Sequence, residues 1–264
     1  MEINHLIGYF LAVVVGITLG LVGSGGSILS VPILVYVMSV EPILATAYSL
    51  FTVGITALFG GVQKAKANLV DFKKVFLFGI PTILSVFITR KFVVPSIPTI
   101  LFSNQSFTLH KSVFIMVIFA IVMIFASIRM IKPSKEIIEG YIKPNYFKII
   151  SIGLLIGFVA GFVGAGGGFL IIPALLFLTR TPMKIAVGTS LFIVATQSLI
   201  GFLGDIRADQ IIDWKLLLTF TFCSIIGVFI GNSISKKYSG EKLKTGFGWL
   251  VLVMGIYIIL KELI

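Results

Sequence analysis

Histidine and cysteine are almost missing from this chain. Its 264 residues include two histidines, His5 and His110, and one cysteine, Cys223. One cysteine excludes an intrachain disulfide framework, and Cys223 sits inside an apolar stretch, where it reads as a small core residue. There is no His-Glu-x-x-His, no Cys-x-x-Cys and no pair of carboxylates within an apolar run. Metal-assisted hydrolysis and redox chemistry therefore lack ligands, and no metal or cofactor is expected. The glycine-rich runs are not followed by Gly-Lys-Ser/Thr, so they do not form a Walker loop, and no stretch is long enough to be a soluble motor domain. The chain reads as a non-enzyme.

Charge is also scarce. Charged residues are 12% of the chain, against about a quarter in an ordinary soluble domain. A water-soluble fold of this length would need far more polar surface. What fills the space is apolar: 58% hydrophobic residues and a mean hydropathy of +1.12. Long apolar runs recur from end to end with short charged clusters between them, which is a membrane pattern. The net charge of +11 does not indicate nucleic acid, because the Lys and Arg residues lie between apolar runs instead of on one solvated face. Such cations orient a membrane protein and face the anionic inner leaflet of a bilayer. The first run has Glu2 and His5 before it instead of a basic cluster, and no small-residue cleavage site after it, so it is read as part of the mature protein.

Ten apolar segments are predicted, at 6–22, 27–39, 43–61, 72–89, 112–131, 147–163, 168–179, 185–203, 215–233 and 246–262. A helix needs about 20 residues to cross about 30 Å of hydrocarbon. Segments 27–39 and 168–179 are too short, and each follows a glycine cluster, so each reads as half of a broken or re-entrant element. These features repeat. Gly16, Gly20, Gly23, Gly25, Gly26 and Pro32 find Gly157, Gly161, Gly164, Gly166, Gly167 and Pro173 at an offset of 141. Ala45, Ser49, Leu50, Phe51 and Gly60 find Ala186, Ser190, Leu191, Phe192 and Gly201 at the same offset. After one inserted residue, Asp71-Phe72-Lys73 matches Asp213-Trp214-Lys215, and Val86-Phe87-Ile88 matches Val228-Phe229-Ile230. The chain thus reads as one membrane domain, 1–264, made of a repeat at 1–131, a charged cytoplasmic linker at 132–148 and a second repeat at 149–264.

Five segments per repeat reverse the orientation of the second. With the N-terminus outside and each glycine-broken pair returning to its starting side, the inside loops are 62–74, 129–148, 180–185 and 235–244. They carry 15 of the 21 Lys/Arg residues, and the other six, Arg90, Lys91, Lys111, Arg207, Lys215 and Lys261, fall outside. This bias places the main basic loops in the cytoplasm and the chain in the cell membrane as a multi-pass protein. Inverted halves with broken helices are a transporter architecture in which the substrate lies where the broken elements meet.

The candidate site is marked by the glycine clusters, Gly23-Ser24-Gly25-Gly26-Ser27 and Gly164-Ala165-Gly166-Gly167-Gly168. Backbone within hydrocarbon must satisfy its polar groups, so a glycine cluster marks a place where protein or water takes over. A helix restarting after it offers first-turn N–H groups and the positive end of its dipole to an anion. Substrate-binding candidates are Gly25, Gly26, Ser27, Gly166, Gly167 and Gly168, assisted by Ser49, Ser190 and Gln197. The alternative for Ser49 and Ser190 is a bond to their own helix backbone. Gly16-x-x-x-Gly20 and Gly157-x-x-x-Gly161 read better as close helix packing, and Pro32 and Pro173 as kinks.

These motifs carry a resemblance. The stretch Gly-Leu-Val-Gly-Ser-Gly-Gly-Ser-Ile-Leu-Ser-Val-Pro-Ile-Leu at 20–34 resembles the first signature of the sulfite exporter TauE/SafE family. Gly-Phe-Val-Gly-Ala-Gly-Gly-Gly-Phe-Leu-Ile-Ile-Pro-Ala-Leu at 161–175 resembles the second, and Ala-x-x-x-Ser-Leu-Phe at 45–51 and 186–192 also fits. Ser27 stands where the pattern has a third glycine. The resemblance implies a bacterial or archaeal inner-membrane permease for small sulfur-containing anions such as sulfite, thiosulfate or sulfonates. The fold expected is an all-α integral membrane protein of two inverted repeats, each a glycine-broken or re-entrant helix pair plus three transmembrane helices. The function expected is secondary transport of a small anion, with an anion channel or a non-transporting membrane scaffold as alternatives. The expected partners are that anion and the lipid bilayer.

Overall fold

The computed structural model describes residues 2–104, 107–131, 145–206, 212–235 and 240–263. Within these the chain is almost entirely helical. Helix α1 (Glu2–Val22) leads into a 3₁₀ run (Gly23–Leu29), a single α turn α2 (Ser30–Pro32) and a π turn (Ile33–Val37). Then come α3 (Pro42–Lys66) and α4 (Phe72–Ile88), the latter continued by a π turn (Thr89–Val93) and α5 (Val94–Ser96). A two-stranded antiparallel hairpin, β1 (Ile100–Asn104) and β2 (Phe107–His110), precedes α6 (Lys111–Ile131). The second part contains α7 (Tyr146–Val163), α8 (Gly168–Thr179), α9 (Met183–Asp205), α10 (Trp214–Ile234) and α11 (Gly240–Leu263).

Among the described residues seven helices are long and apolar enough to cross a membrane: Ile3–Val22, Pro42–Lys66, Phe72–Ser96, Lys111–Ile131, Tyr146–Val163, Met183–Asp205 and Trp214–Ile234. They coincide with seven of the ten predicted segments. Segment 168–179 is α8, too short to cross alone at about 1.5 Å per residue. The last segment lies in α11, which packs along α6. Of the basic loops, 129–148 and 235–244 fall partly outside the described residues, as does most of the linker.

Two sequence expectations change. The predicted segments end at 89 and resume near 112, which makes 90–111 an outer loop carrying Arg90, Lys91 and Lys111. Instead α4 continues beyond its predicted end to Ser96, and the β-hairpin comes after it. Arg90, expected among the outer-loop cations, is buried on that helical extension. The physical reason is local pairing: its guanidinium has acceptors on two other helices, which offsets the cost of taking a charge out of water.

Lipid exposure accounts for the apolar composition. Phe72, Phe76, Ile80, Leu84, Ile88 and Phe92 are all exposed and recur every fourth residue, in a stripe that winds slowly around the helix. That stripe is about 30 Å long at 1.5 Å per residue, the thickness of a hydrocarbon layer. Trp214, Leu218, Phe222, Ile226 and Ile230 form the same stripe on α10. In water such surfaces would drive aggregation. By contrast α3 and α9 lie at the centre, packed on each other, with Gly54 set against Leu199.

Around them α1 packs on α10 and α4 on α7, through contacts only glycine permits. A Cβ on Gly16 would stand 1.9 Å from the Ser224 carbonyl oxygen, and one on Gly157 would stand 2.5 Å from that of Thr82. Gly20 and Gly161 lie one turn further along the same two seams, against Val228 and Thr89. The packing expectation for these four glycines holds.

Candidate functional site

Both glycine clusters reverse the chain. At Gly23 the backbone turns with φ +77°, and the 3₁₀ run folds back onto α1. A Cβ on Gly26 would lie 2.5 Å from Leu19 N and Thr18 Oγ1, and one on Gly8 would lie 2.5 Å from Met38 Cγ. The segment therefore retraces α1 nearly to its beginning. The second cluster places Gly164, Gly166 and Gly167 at φ +75°, +68° and +61°, a left-handed conformation that favours glycine. Helix α8 then starts at Gly168 against α7, with the Gly167 Cβ position 2.5 Å from Ala160 Cβ.

The two clusters do not restart their helices in the same way. Gly167 is the N-cap of α8 and has no side chain to cap it, so the positive end of the α8 dipole opens onto the turn. In the first cluster the chain does not stop. Gly25, Gly26 and Ser27 lie within the 3₁₀ run, which passes into α2 without a gap. Ser27, the departure from glycine, is fully buried and donates its hydroxyl to the Ala165 carbonyl at 2.5 Å. That bond ties the first reversal to the second.

Residues from α3 and α9 surround the junction. A Cβ on Gly166 would meet Ser198 Oγ at 2.8 Å, Val53 at 3.0 Å and Val194 at 3.2 Å. Gln197 is fully buried; its Nε2 donates to the Gly166 carbonyl, and its Oε1 has no hydrogen-bond partner among the described residues. Ser49 is one turn before Val53 on the same face of α3. Its buried hydroxyl, like those of Thr56 and Ser198, has no partner among the described residues. Ser190, one turn before Val194, donates to the Val187 carbonyl of its own helix at 2.8 Å. Gly166, Gly167 and Gln197 thus adjoin directly, Ser27 joins them through Ala165, and Ser49 and Ser190 share the faces of Val53 and Val194. The backbone carries few side chains here, and the Ser198 hydroxyl and the Gln197 amide oxygen, both without a partner among the described residues, lie against it. Such a junction can donate or accept hydrogen bonds but supplies no general acid, base or nucleophile pair.

One polar element has no counterpart among the sequence-predicted site residues. Arg90 is the largest fully buried side chain, and its Nη1 donates to Asp205 Oδ2 at 2.8 Å and to Thr46 Oγ1 at 2.9 Å. Its Nη2 lies 2.4 Å from the Cβ position of Gly164. A charge at the end of an apolar run reads as a boundary, so the only signal available was an acidic residue, Asp205, at the end of another run. Among the described residues no three His, Cys, Asp or Glu side chains are placed to hold a metal ion.

Comparison with known proteins matches this architecture to one family. The sulfite exporter TauE/SafE family profile matches residues 9–258. A "Probable membrane transporter protein" of Xylella fastidiosa (strain 9a5c) is 31% identical over 256 residues, covering 94% of this chain and 92% of its own length. The "Probable membrane transporter protein YunE" of Bacillus subtilis is 28% identical, covering 96% of this chain and 95% of its own length. "Probable membrane transporter protein MJ0441" of Methanocaldococcus jannaschii is 26% identical, with 98% of each chain covered. No solved structure matches this chain. A multi-pass helical chain with two glycine reversals and a family match over nearly its full length belongs to the sulfite exporter TauE/SafE family, a family of membrane transporters and not of enzymes.

Proposed function

We propose that this chain is a secondary transporter of a small anion, a sulfur oxyanion or sulfonate such as sulfite or thiosulfate. The anion binds where the two glycine reversals meet, on Gly25, Gly26, Ser27, Gly166, Gly167 and Gly168, with Ser49, Ser190 and Gln197 beside them. The protein resides in the cell membrane with its main basic loops cytoplasmic. The observation that carries the reading is the Ser27–Ala165 bond, which brings two broken elements from distant parts of the chain to one place between α3 and α9.

Two inverted repeats fit the packing. Exchanging each helix for its counterpart, α1 for α7 and α4 for α10, turns the α1–α10 seam into the α7–α4 seam. The hydrogen bonds exchange likewise. The Asp71 N–H donates to Thr189 Oγ1 at 3.0 Å, and that of its counterpart Asp213 donates to Tyr48 Oη at 2.6 Å. A two-fold within the membrane plane makes each face of the bilayer see the same binding junction through a different repeat, as alternating access requires. The return of the first reversal to Gly8 leaves three net crossings, α3, α4 and α6, in the first repeat, the odd number that inversion needs.

The test is flux of radiolabelled sulfite and thiosulfate through proteoliposomes, with Gly167→Val and Ser49→Ala. Saturable, counter-transport-stimulated flux, lost in Gly167→Val and weakened in Ser49→Ala while both stay folded, is expected. Flux that does not saturate would make the protein a channel. Absence of anion flux in either direction, with or without a proton gradient, would remove the reading.

A further inference from the structure

Arg90 has more hydrogen-bonding capacity than its neighbours use. A guanidinium carries five N–H donors, and only Nη1 is engaged by Thr46 and Asp205. Nε and Nη2 are buried and have no hydrogen-bond partner among the described residues. Leaving a charged group's donors unmet in a buried site costs more than the about 1–3 kcal/mol of a neutral one. The unmet donors are also the adjacent pair on one edge of the guanidinium, a fork that fits two oxygens of one oxyanion.

Their position is specific. Nη2 reaches the place where a side chain on Gly164 would begin, so the bare backbone of Gly164 is what admits the guanidinium. Gly164 opens the left-handed turn that ends at the start of α8. A fixed cation and a helix N-terminus therefore border the same glycine turn. We propose that Arg90 is a substrate-binding residue: its Nε–Nη2 edge holds the anion at an entry subsite beside Gly164, and Asp205 is the counter-ion with which the anion competes. This rests on the anion-transport reading.

The subsite belongs to one membrane face only. Arg90 is 18 residues along the helix from Phe72, about 27 Å from the 62–71 end at 1.5 Å per residue. The match of Val86-Phe87-Ile88 with Val228-Phe229-Ile230 places Asn232 opposite Arg90 in the second half. Asn232 is neutral, and its Nδ2 donates to Gln63 Oε1 at 2.6 Å. The face bearing Arg90 thus captures anions on a guanidinium fork with unmet donors, whereas the other face has a neutral amide at the matching position and a cation, Lys64, that donates to Ser235 Oγ at 3.2 Å, so the two faces differ in affinity for the same substrate.

The experiment measures initial rates of sulfite and thiosulfate flux in oriented proteoliposomes. Wild type is compared with R90K, D205N and the charge-balanced R90Q/D205N, each first checked for folding by size-exclusion chromatography. Expected are a KM raised tenfold or more in R90Q/D205N on the Arg90 face alone, a smaller rise in R90K, which loses the fork, and a several-fold lower KM in D205N, which loses the competitor. If wild type transports and folded R90Q/D205N keeps its KM, Arg90 only anchors helices and the inference falls while anion transport stands. If R90Q/D205N does not fold, D205N decides: a KM unchanged or raised overturns the proposal. If wild type moves no anion, both readings fall together.

Discussion

The α1–α10 seam allows a quantitative test of how this bundle holds together. In lipid there is little hydrophobic drive between helices, so packing must supply the attraction, and small residues let backbones approach. Gly16 is the extreme case. Its Cβ would lie 1.9 Å from the Ser224 carbonyl oxygen and 2.8 Å from Val228 N, whereas ordinary van der Waals contact begins at 3.4 Å. Gly16→Ala must therefore push the helices apart by about 1.5 Å, against backbone that cannot rotate away. Overpacking costs about 1–3 kcal/mol, and the obstacle here puts the cost near the upper end. At about 2–4 °C per kcal/mol for a chain of this size, the midpoint should fall by about 6–12 °C. The matched control is Gly79→Ala on α4, where a Cβ meets nothing within 4 Å. Alanine there gains up to about 1 kcal/mol of helix propensity, so its midpoint should equal or exceed wild type. The assay is thermal unfolding in detergent, read as loss of the monodisperse peak by fluorescence-detected size exclusion. Equal stability of Gly16→Ala and wild type would refute the reasoning, as would equal damage from the two substitutions.

The site and its frame give two further expected outcomes. Ser27→Ala removes the bond to the Ala165 carbonyl and leaves that acceptor unmet in a buried place, so a loss of about 1–3 kcal/mol in thermal stability is expected together with reduced flux; full flux at unchanged stability would show that the two reversals do not need each other. Asp213 caps α10 by accepting from Leu216 N at 3.0 Å, so Asp213→Ala should cost about 1 kcal/mol and Asp213→Asn much less, measured by the same thermal assay.

The sequence revealed most of the architecture because the membrane imposes simple rules. Hydropathy located the spans that became α1, α3, α4, α6, α7, α9 and α10, and 168–179 matched α8 residue for residue. The paired glycines at 16, 20, 157 and 161 were legible as packing because a missing side chain has one main use on a helix seam. Asp71 and Asp213 stood out as a repeated motif; their reason is structural, since each caps a helix and ties its backbone to a central one. The hidden features depend on distant partners. Arg90 reads as the end of a span, because hydropathy cannot see that Asp205 and Thr46, far along the chain, converge on it. The 3₁₀ winding of Gly23–Leu29 was equally illegible: glycines announce a departure from the α-helix without saying which conformation replaces it. The strands β1 and β2 had a weak signal in the short apolar runs on either side of the polar sequence Asn-Gln-Ser, hidden by the cations around it.

That 3₁₀ winding gives the first reversal a property the second lacks. A 3₁₀-helix rises about 2.0 Å and turns about 120° per residue, an α-helix about 1.5 Å and 100°. Over the seven residues Gly23–Leu29, rewinding from one to the other shortens the segment by about 3.5 Å and rotates α2 beyond it by about 140°. The segment is in effect a short coil spring, wound at its extended pitch and pinned near its middle by Ser27. Helix α8, already at α pitch from Gly168 onward, has no such length in reserve. Ser27, four residues past Gly23, shifts by about 2 Å in that rewinding, enough to carry its hydroxyl beyond hydrogen-bond reach of the Ala165 carbonyl, so a change of pitch on one side is enough to make or break the junction between the two reversals.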